Sequence, residues 1–103
     1  MDSWIKIMSQ NDFTVDKKLV IVNRKQIALF RTAEGIFALD NTCSHAQGAL
    51  SEGMVDGFTV QCPEHGARFD IRNGKNLSFP AVVPVKSYPA KIEHGNIFLQ
   101  LTE

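Results

Sequence analysis

The chain has 103 residues, of which 44% are hydrophobic and 21% charged, and its 11 basic residues are balanced by 11 acidic ones. That is enough for one domain with a modest core, and a neutral chain without a basic run argues against nucleic acid as a partner. The longest early apolar run covers only residues 19–22, too little for a secretory leader and far from the roughly 20 apolar residues of a membrane span, so a single cytoplasmic domain over residues 1–103, off the membrane, is expected.

In chain order, a first strand is expected over residues 4–8, with Trp4 in the core. Strands over 18–23, 26–32 and 36–40 follow, joined by turns at Asn23-Arg24-Lys25 and Glu34-Gly35. From 41 to 53 neither a helical nor a strand period emerges. A strand over 58–62 then alternates Phe58, Val60 and Cys62 with Thr59 and Gln61, which aims the Cys62 thiol to the apolar side. Residues 63–83 are again irregular apart from a short run at 68–71. Strands over 85–88, 91–93 and 96–101 end the pattern, the last two joined by a His94-Gly95-Asn96 turn in which His94 is solvated. Ile97, Leu99 and Leu101 share one face of the final strand. Many short strands with turn signals predict an all-β fold, a small antiparallel β-sandwich or barrel. The irregular stretches, approximately 41–83, form a loop-built metal subdomain at one end, because sites are usually built on irregular backbone carried by a strand scaffold.

Two segments carry the chemistry: Cys43-Ser44-His45 and Cys62-Pro63-Glu64-His65, which contain both cysteines and two of the three histidines. Sixteen residues separate His45 from Cys62, so two loops brought side by side deliver two ligands each. Equal thiol and imidazole from two short boxes suit a two-iron, two-sulfide cluster with Cys on one iron and His on the other. Two ferric ions, two sulfides and two thiolates give a formal charge of zero, and an added electron settles on the imidazole-bound iron. Other readings stand beside this one. Zinc would take the same four donors, although its knuckles usually pair like ligands. A Cys–His nucleophile would leave the duplication unexplained. A single Cys43–Cys62 disulfide would leave both histidines unexplained.

With Ala46 after the first box, Gly66-Ala67-Arg68-Phe69-Asp70 after the second and Gly74 following, the two boxes resemble those of Rieske ferredoxins, in particular the small ferredoxin component of bacterial aromatic-ring dioxygenase systems. The likeness extends to Trp4, Leu50-Ser51-Glu52-Gly53 and Pro84-Val85-Lys86-Ser87-Tyr88-Pro89. The resemblance implies one [2Fe-2S] cluster, with Cys43 and Cys62 on the buried iron and His45 and His65 on the outer one. It also implies that Ser78-Phe79-Pro80-Ala81 is the proline-containing loop that shields the cluster.

As partners the resemblance implies an NAD(P)H-dependent flavoprotein reductase and a terminal oxygenase, served by a monomeric, non-enzymatic electron carrier with a small, brief interface. A permanent Rieske subunit of a nitrite-reductase-like complex and a zinc-stabilised interaction module are the alternatives. The chain departs from high-potential respiratory relatives in lacking their extra cysteine pair. It also has Ala67 and Phe69 where those use serine and tyrosine to hydrogen-bond the sulfurs, which places the potential toward the low end, about −150 mV. Glu64 stands where many ferredoxin relatives carry an aromatic residue, and reads either as a surface carboxylate or as a contact for a basic partner. Arg68 is expected to pair with Asp70 or a neighbouring loop, and Phe69 and Phe79 to pack around the cluster loops.

Overall fold

The computed structural model describes residues 4–42, 48–64, 66–78 and 83–101. Eleven strands among them form three antiparallel sheets. A terminal sheet contains β1 (Trp4–Ser9), β10 (Ala90–Glu93) and β11 (Asn96–Gln100) in the order β1-β11-β10. A central sheet contains β2 (Lys17–Val22), β3 (Lys25–Thr32), β4 (Gly35–Asp40) and β9 (Ser87–Tyr88) in the order β2-β3-β4-β9. A distal sheet runs β5-β6-β7-β8, from Met54–Asp56, Thr59–Gln61, Arg68–Asp70 and Asn76–Ser78. The all-β expectation holds, with one refinement. The irregular middle of the chain is not built from loops alone: it has its own sheet, of strands only three residues long.

Strand β3 explains how the layers join. Ile27, Ala28, Leu29 and Phe30 are all fully buried, although successive side chains of a strand point to opposite faces. Ile27 and Leu29 pack with Phe13, Ala38, Ile97 and Leu99 toward the terminal sheet. Ala28 and Phe30 pack with Leu50, Val60, Cys62 and Phe69 toward the distal sheet. A continuous apolar run is what a strand covered on both faces requires. Burying Leu29 is worth about 2 kcal/mol by area.

Tight turns hold the registers. Asn23 and Arg24, at φ 50° and 70°, form the two-residue turn between Val22 and Lys25. His94 and Gly95, at 51° and 78°, do the same between Glu93 and Asn96. Two consecutive left-handed residues define the type I′ turn, whose twist matches that of paired strands. His94 is exposed, as a turn residue should be. Arg31 reaches from β3 to the carbonyls of Gln10 and Phe13 and lies over the Phe13 ring, tying the β1–β2 connection to the central sheet.

One sequence expectation fails, and one of the two partners expected for Arg68 is ruled out. Trp4 is not a core residue: it is 39% exposed, with the Lys91 ammonium 4.4 Å from its ring centroid. It begins an edge strand, where one ring face remains open and an alkylammonium can cover it. Asp70 pairs with Arg72 rather than Arg68, through two side-chain hydrogen bonds of 3.1 Å. The reason is local: Asp70 Oδ1 also accepts the Arg72 N–H at 2.9 Å, so the turn already presents that guanidinium. The Arg72 hydrogen bond holds the Asp70 carboxyl below its ordinary range, and the guanidinium also stacks on Phe58, 4.5 Å from the ring centroid.

Two substitutions test this layering. Leu29→Ala should cost about 2–5 kcal/mol in denaturant unfolding, because it opens a cavity between two sheets. Arg24→Gly should instead stabilise by about 0.5–1 kcal/mol, since glycine removes the left-handed penalty at φ 70°; a lower denaturation midpoint would contradict the turn geometry.

Candidate metal centre

The first ligand box is carried by a loop that leaves the central sheet at Asn41. The Asn41 N–H donates to the Gln26 carbonyl at 3.0 Å, and its own carbonyl accepts the Leu50 N–H at 2.7 Å. Its buried side chain accepts the Ser51 N–H at 2.9 Å and donates to Gln26 Oε1 at 3.5 Å. Thr42 and Ala49 then pair as an isolated antiparallel bridge. These bonds tie Asn41 to the central sheet and join 41–42 to 49–50. The pinning residue, Asn41, was not singled out in the sequence. Its signal is there to be read: a polar residue directly after a strand, whose side chain can satisfy backbone where the ladder stops.

The second box lies on the β6–β7 hairpin. The Cys62 N–H donates to the Ala67 carbonyl at 2.7 Å, closing the base of a four-residue turn. Gly66 takes φ +74° there. Strand alternation sends Cys62 inward as expected: it is 1% exposed and belongs to the same buried group as Val60, Ala67, Phe69 and Ile71. Phe69 does pack against the cluster loops, as part of this wall.

A third segment is anchored by Gly74. Its N–H donates to the Asp70 carbonyl at 2.7 Å, and its carbonyl accepts the Val85 N–H at 2.9 Å. A β-carbon on Gly74 would stand 2.1 Å from the Val85 carbonyl oxygen, so only glycine lets these backbones meet. The Asp40–Tyr88 pair braces the same junction, with the Tyr88 hydroxyl donating to Asp40 Oδ1 at 2.5 Å. Burial first, and then the Asp40 carboxylate, push the Tyr88 hydroxyl well above its ordinary range, so it stays a donor.

Gly48 brings the two boxes together. A β-carbon there would lie 2.7 Å from Cys62 Sγ and 2.8 Å from Glu64 Cγ. The end of the first loop thus rests directly on the cysteine of the second. Cys43, His45 and His65 lie outside the described residues, as do Phe79, Pro80 and Ala81 of the expected shielding loop. Accordingly, among the described residues no group of three or more His, Cys, Asp or Glu is placed to hold a metal ion. The described part nevertheless fits a sulfide-bridged cluster. One thiol is sunk in an apolar wall, the backbone beside it carries no side chain, and the chain flanking the other three donors is pinned by strand-type hydrogen bonds. A thiolate donor set in a water-poor setting is what an iron–sulfur centre uses.

Comparison with known proteins agrees with this geometry. The family described as the Rieske [2Fe-2S] domain matches residues 3–89. The chain is 35% identical, over 100 residues and 96% of each protein, to the ferredoxin component of a naphthalene 1,2-dioxygenase system from Pseudomonas putida. Among solved structures, it is similar to a chain in the complex of reduced oxygenase and oxidized ferredoxin of carbazole 1,9a-dioxygenase, with a TM-score of 0.85 and 28% identity over 93% of this chain and 91% of that one. It is also similar to a putative NADH-dependent nitrite reductase small subunit from Mycobacterium tuberculosis, with a TM-score of 0.85 and 25% identity over 100% of this chain and 98% of that one. Boxes, sheets and matched span converge, and the chain belongs to the Rieske [2Fe-2S] family.

Proposed function

We propose that the chain is a one-electron carrier between an NAD(P)H-dependent flavoprotein reductase and a terminal oxygenase of the ring-hydroxylating dioxygenase type. The observation that carries this reading is the near full-length likeness to a dioxygenase ferredoxin component, joined to a buried Cys62 at the meeting point of two ligand loops. When bound, the cluster takes up and releases one electron at a time. Cys43 and Cys62 would hold one of its irons, and His45 and His65 the other. The apolar wall of Val60, Ala67, Phe69 and Ile71 keeps water from the inner side. The chain has no Gly-x-Gly-x-x-Gly fingerprint; hydride chemistry and oxygen chemistry belong to its partners.

Docking is read from charge. Residues 41–67 contain Glu52, Asp56 and Glu64 and no lysine or arginine, and all three carboxylates are exposed. Between Glu52 and Asp56 stands Met54, 74% exposed. Exposed carboxylates near the ligand boxes suit a partner with a basic rim, met quickly and released quickly. The interface is small, below about 1,200 Å², and the carrier works as a cytoplasmic monomer. The second reading, a subunit fixed in a nitrite-reductase-like complex, draws on the likeness to that small subunit. Gel filtration of native extract separates the two: a carrier elutes alone, a fixed subunit with its enzyme.

Two measurements test the site. The protein purified without oxygen should contain two irons and two acid-labile sulfides, be red-brown and bleach with dithionite. Cys62→Ala should lose the iron yet keep most of its β-type circular dichroism, because the core between terminal and central sheets does not use Cys62; zinc in the wild type would remove the reading altogether. Ala67 and Phe69 are fully buried beside Cys62 and carry no donor. The double change Ala67→Ser and Phe69→Tyr should therefore raise the midpoint potential from about −150 mV, by offering hydrogen bonds to sulfur that favour the more negative reduced state. An unchanged or lower potential would refute the hydrogen-bond account.

A further inference from the structure

We propose that Glu64 is a potential-setting residue: its side chain is seated on the bare backbone of Gly48 beside the Cys62 sulfur, where its negative charge opposes electron uptake. The inference rests on the reading of Cys62 as a cluster ligand and extends it to a residue that ligates nothing. Three observations support it. The Gly48 position lies within 2.8 Å of both Cys62 Sγ and Glu64 Cγ, measured from where a β-carbon would stand, and 3.2 Å from Glu64 Cβ. Glu64 is therefore held against the ligand loops by its aliphatic stem, while the residue as a whole remains exposed. No ion pair or hydrogen bond involves its carboxylate among the described residues, where the salt bridges are Arg72–Asp70 and Lys91–Glu93. Finally, Arg68, the basic residue nearest to it in the sequence, makes no ion pair with it among the described residues.

The physical consequence follows from Coulomb's law. One electron enters from the reductase and leaves to the oxygenase, so the cluster's charge changes by one unit while that of Glu64 stays fixed. A fixed negative charge disfavours the more negative reduced state, and does so most where the charge is close and poorly screened. A side chain free to swing into water would have little effect. The missing β-carbon at Gly48 leaves room for the Glu64 stem and so keeps the base of the side chain beside Cys62.

The test uses the cluster-loaded protein alone, without partners, and reads the midpoint potential by direct electrochemistry. Glu64→Gln keeps the shape and removes the charge; its potential should rise, with iron content and visible spectrum unchanged. Glu64→Lys should raise it further. The gap between wild type and Glu64→Gln should narrow as salt is increased. Glu52→Gln, which removes an exposed carboxylate that is not among the atoms nearest the Gly48 position, should move the potential less. An unmoved potential in Glu64→Gln with an intact cluster overturns the proposal and leaves the carrier reading standing, as does an equal shift in Glu52→Gln. Wild-type protein without iron and sulfide overturns both.

Discussion

The distal end of the molecule depends on one constraint: two ligand loops must touch over a buried cysteine without a side chain between them. Gly48 meets it, since any β-carbon would collide with Cys62 Sγ. Contact alone would not fix the loops, because a few van der Waals contacts do not hold irregular backbone still. The fixing comes from hydrogen bonds of strand type at each loop base, Asn41 with Leu50, Thr42 with Ala49 and Cys62 with Ala67. Gly74 extends the same logic to the third segment, where its backbone is pressed on that of Val85. The site is thus an extension of the sheets rather than an attachment to them. Placing a site on rigid elements is how ligand geometry is kept within tight tolerances.

The central sheet divides the energetics. Its two faces serve separate buried groups, and only one of them contains Cys62. The core against the terminal sheet contains Phe13, Ile27, Leu29, Ile97 and Leu99 and needs nothing from the cluster. The other core contains Cys62, which would take a metal on the reading proposed above. Metal binding is folding free energy wherever ligands organise the chain. In this architecture that coupling is confined to the distal layer, so a scaffold persists on which the loops can be rebuilt around the metal.

What was legible in the sequence divides along the same line. The long strands could be read because alternation or a continuous apolar run persists over five to eight residues, as in Lys25–Thr32 and Asn96–Gln100. The strands Met54–Asp56 and Asn76–Ser78 could not: three residues contain less than two periods, and each has two outward residues flanking a single inward one or the reverse. Their pairing is fixed by neighbours, Met54 with Gln61 and Phe69 with Asn76, not by their own composition. Of the site, the family was legible because the spacing of the two boxes has few other uses, and the inward Cys62 thiol followed from the alternation that β6 begins. Asn41 and the seat at Gly48 were hidden, because both depend on residues distant in sequence arriving at one point. Trp4 misled for a general reason: a large aromatic at the start of a strand reads as core, yet an edge position buries one face only.

The proposed docking would link placement of the cluster to recognition. Glu52, Asp56 and Glu64 are exposed, and a reduced cluster would add one more negative unit to the chain. A partner with a basic rim therefore binds the reduced carrier more tightly than the oxidised one. Linkage requires the reciprocal effect: the same partner, once docked, raises the carrier's potential by the same free energy. At an acceptor this works against transfer, because it holds the electron on the carrier. At a donor it favours transfer, because it draws the electron in. A carrier that must serve both therefore gains from a low intrinsic potential, which leaves driving force for the second step after docking has taken its share. On the proposed reading, a low potential and exposed carboxylates would serve one design, and Glu64, exposed beside the Cys62 loop, would belong to both halves of it.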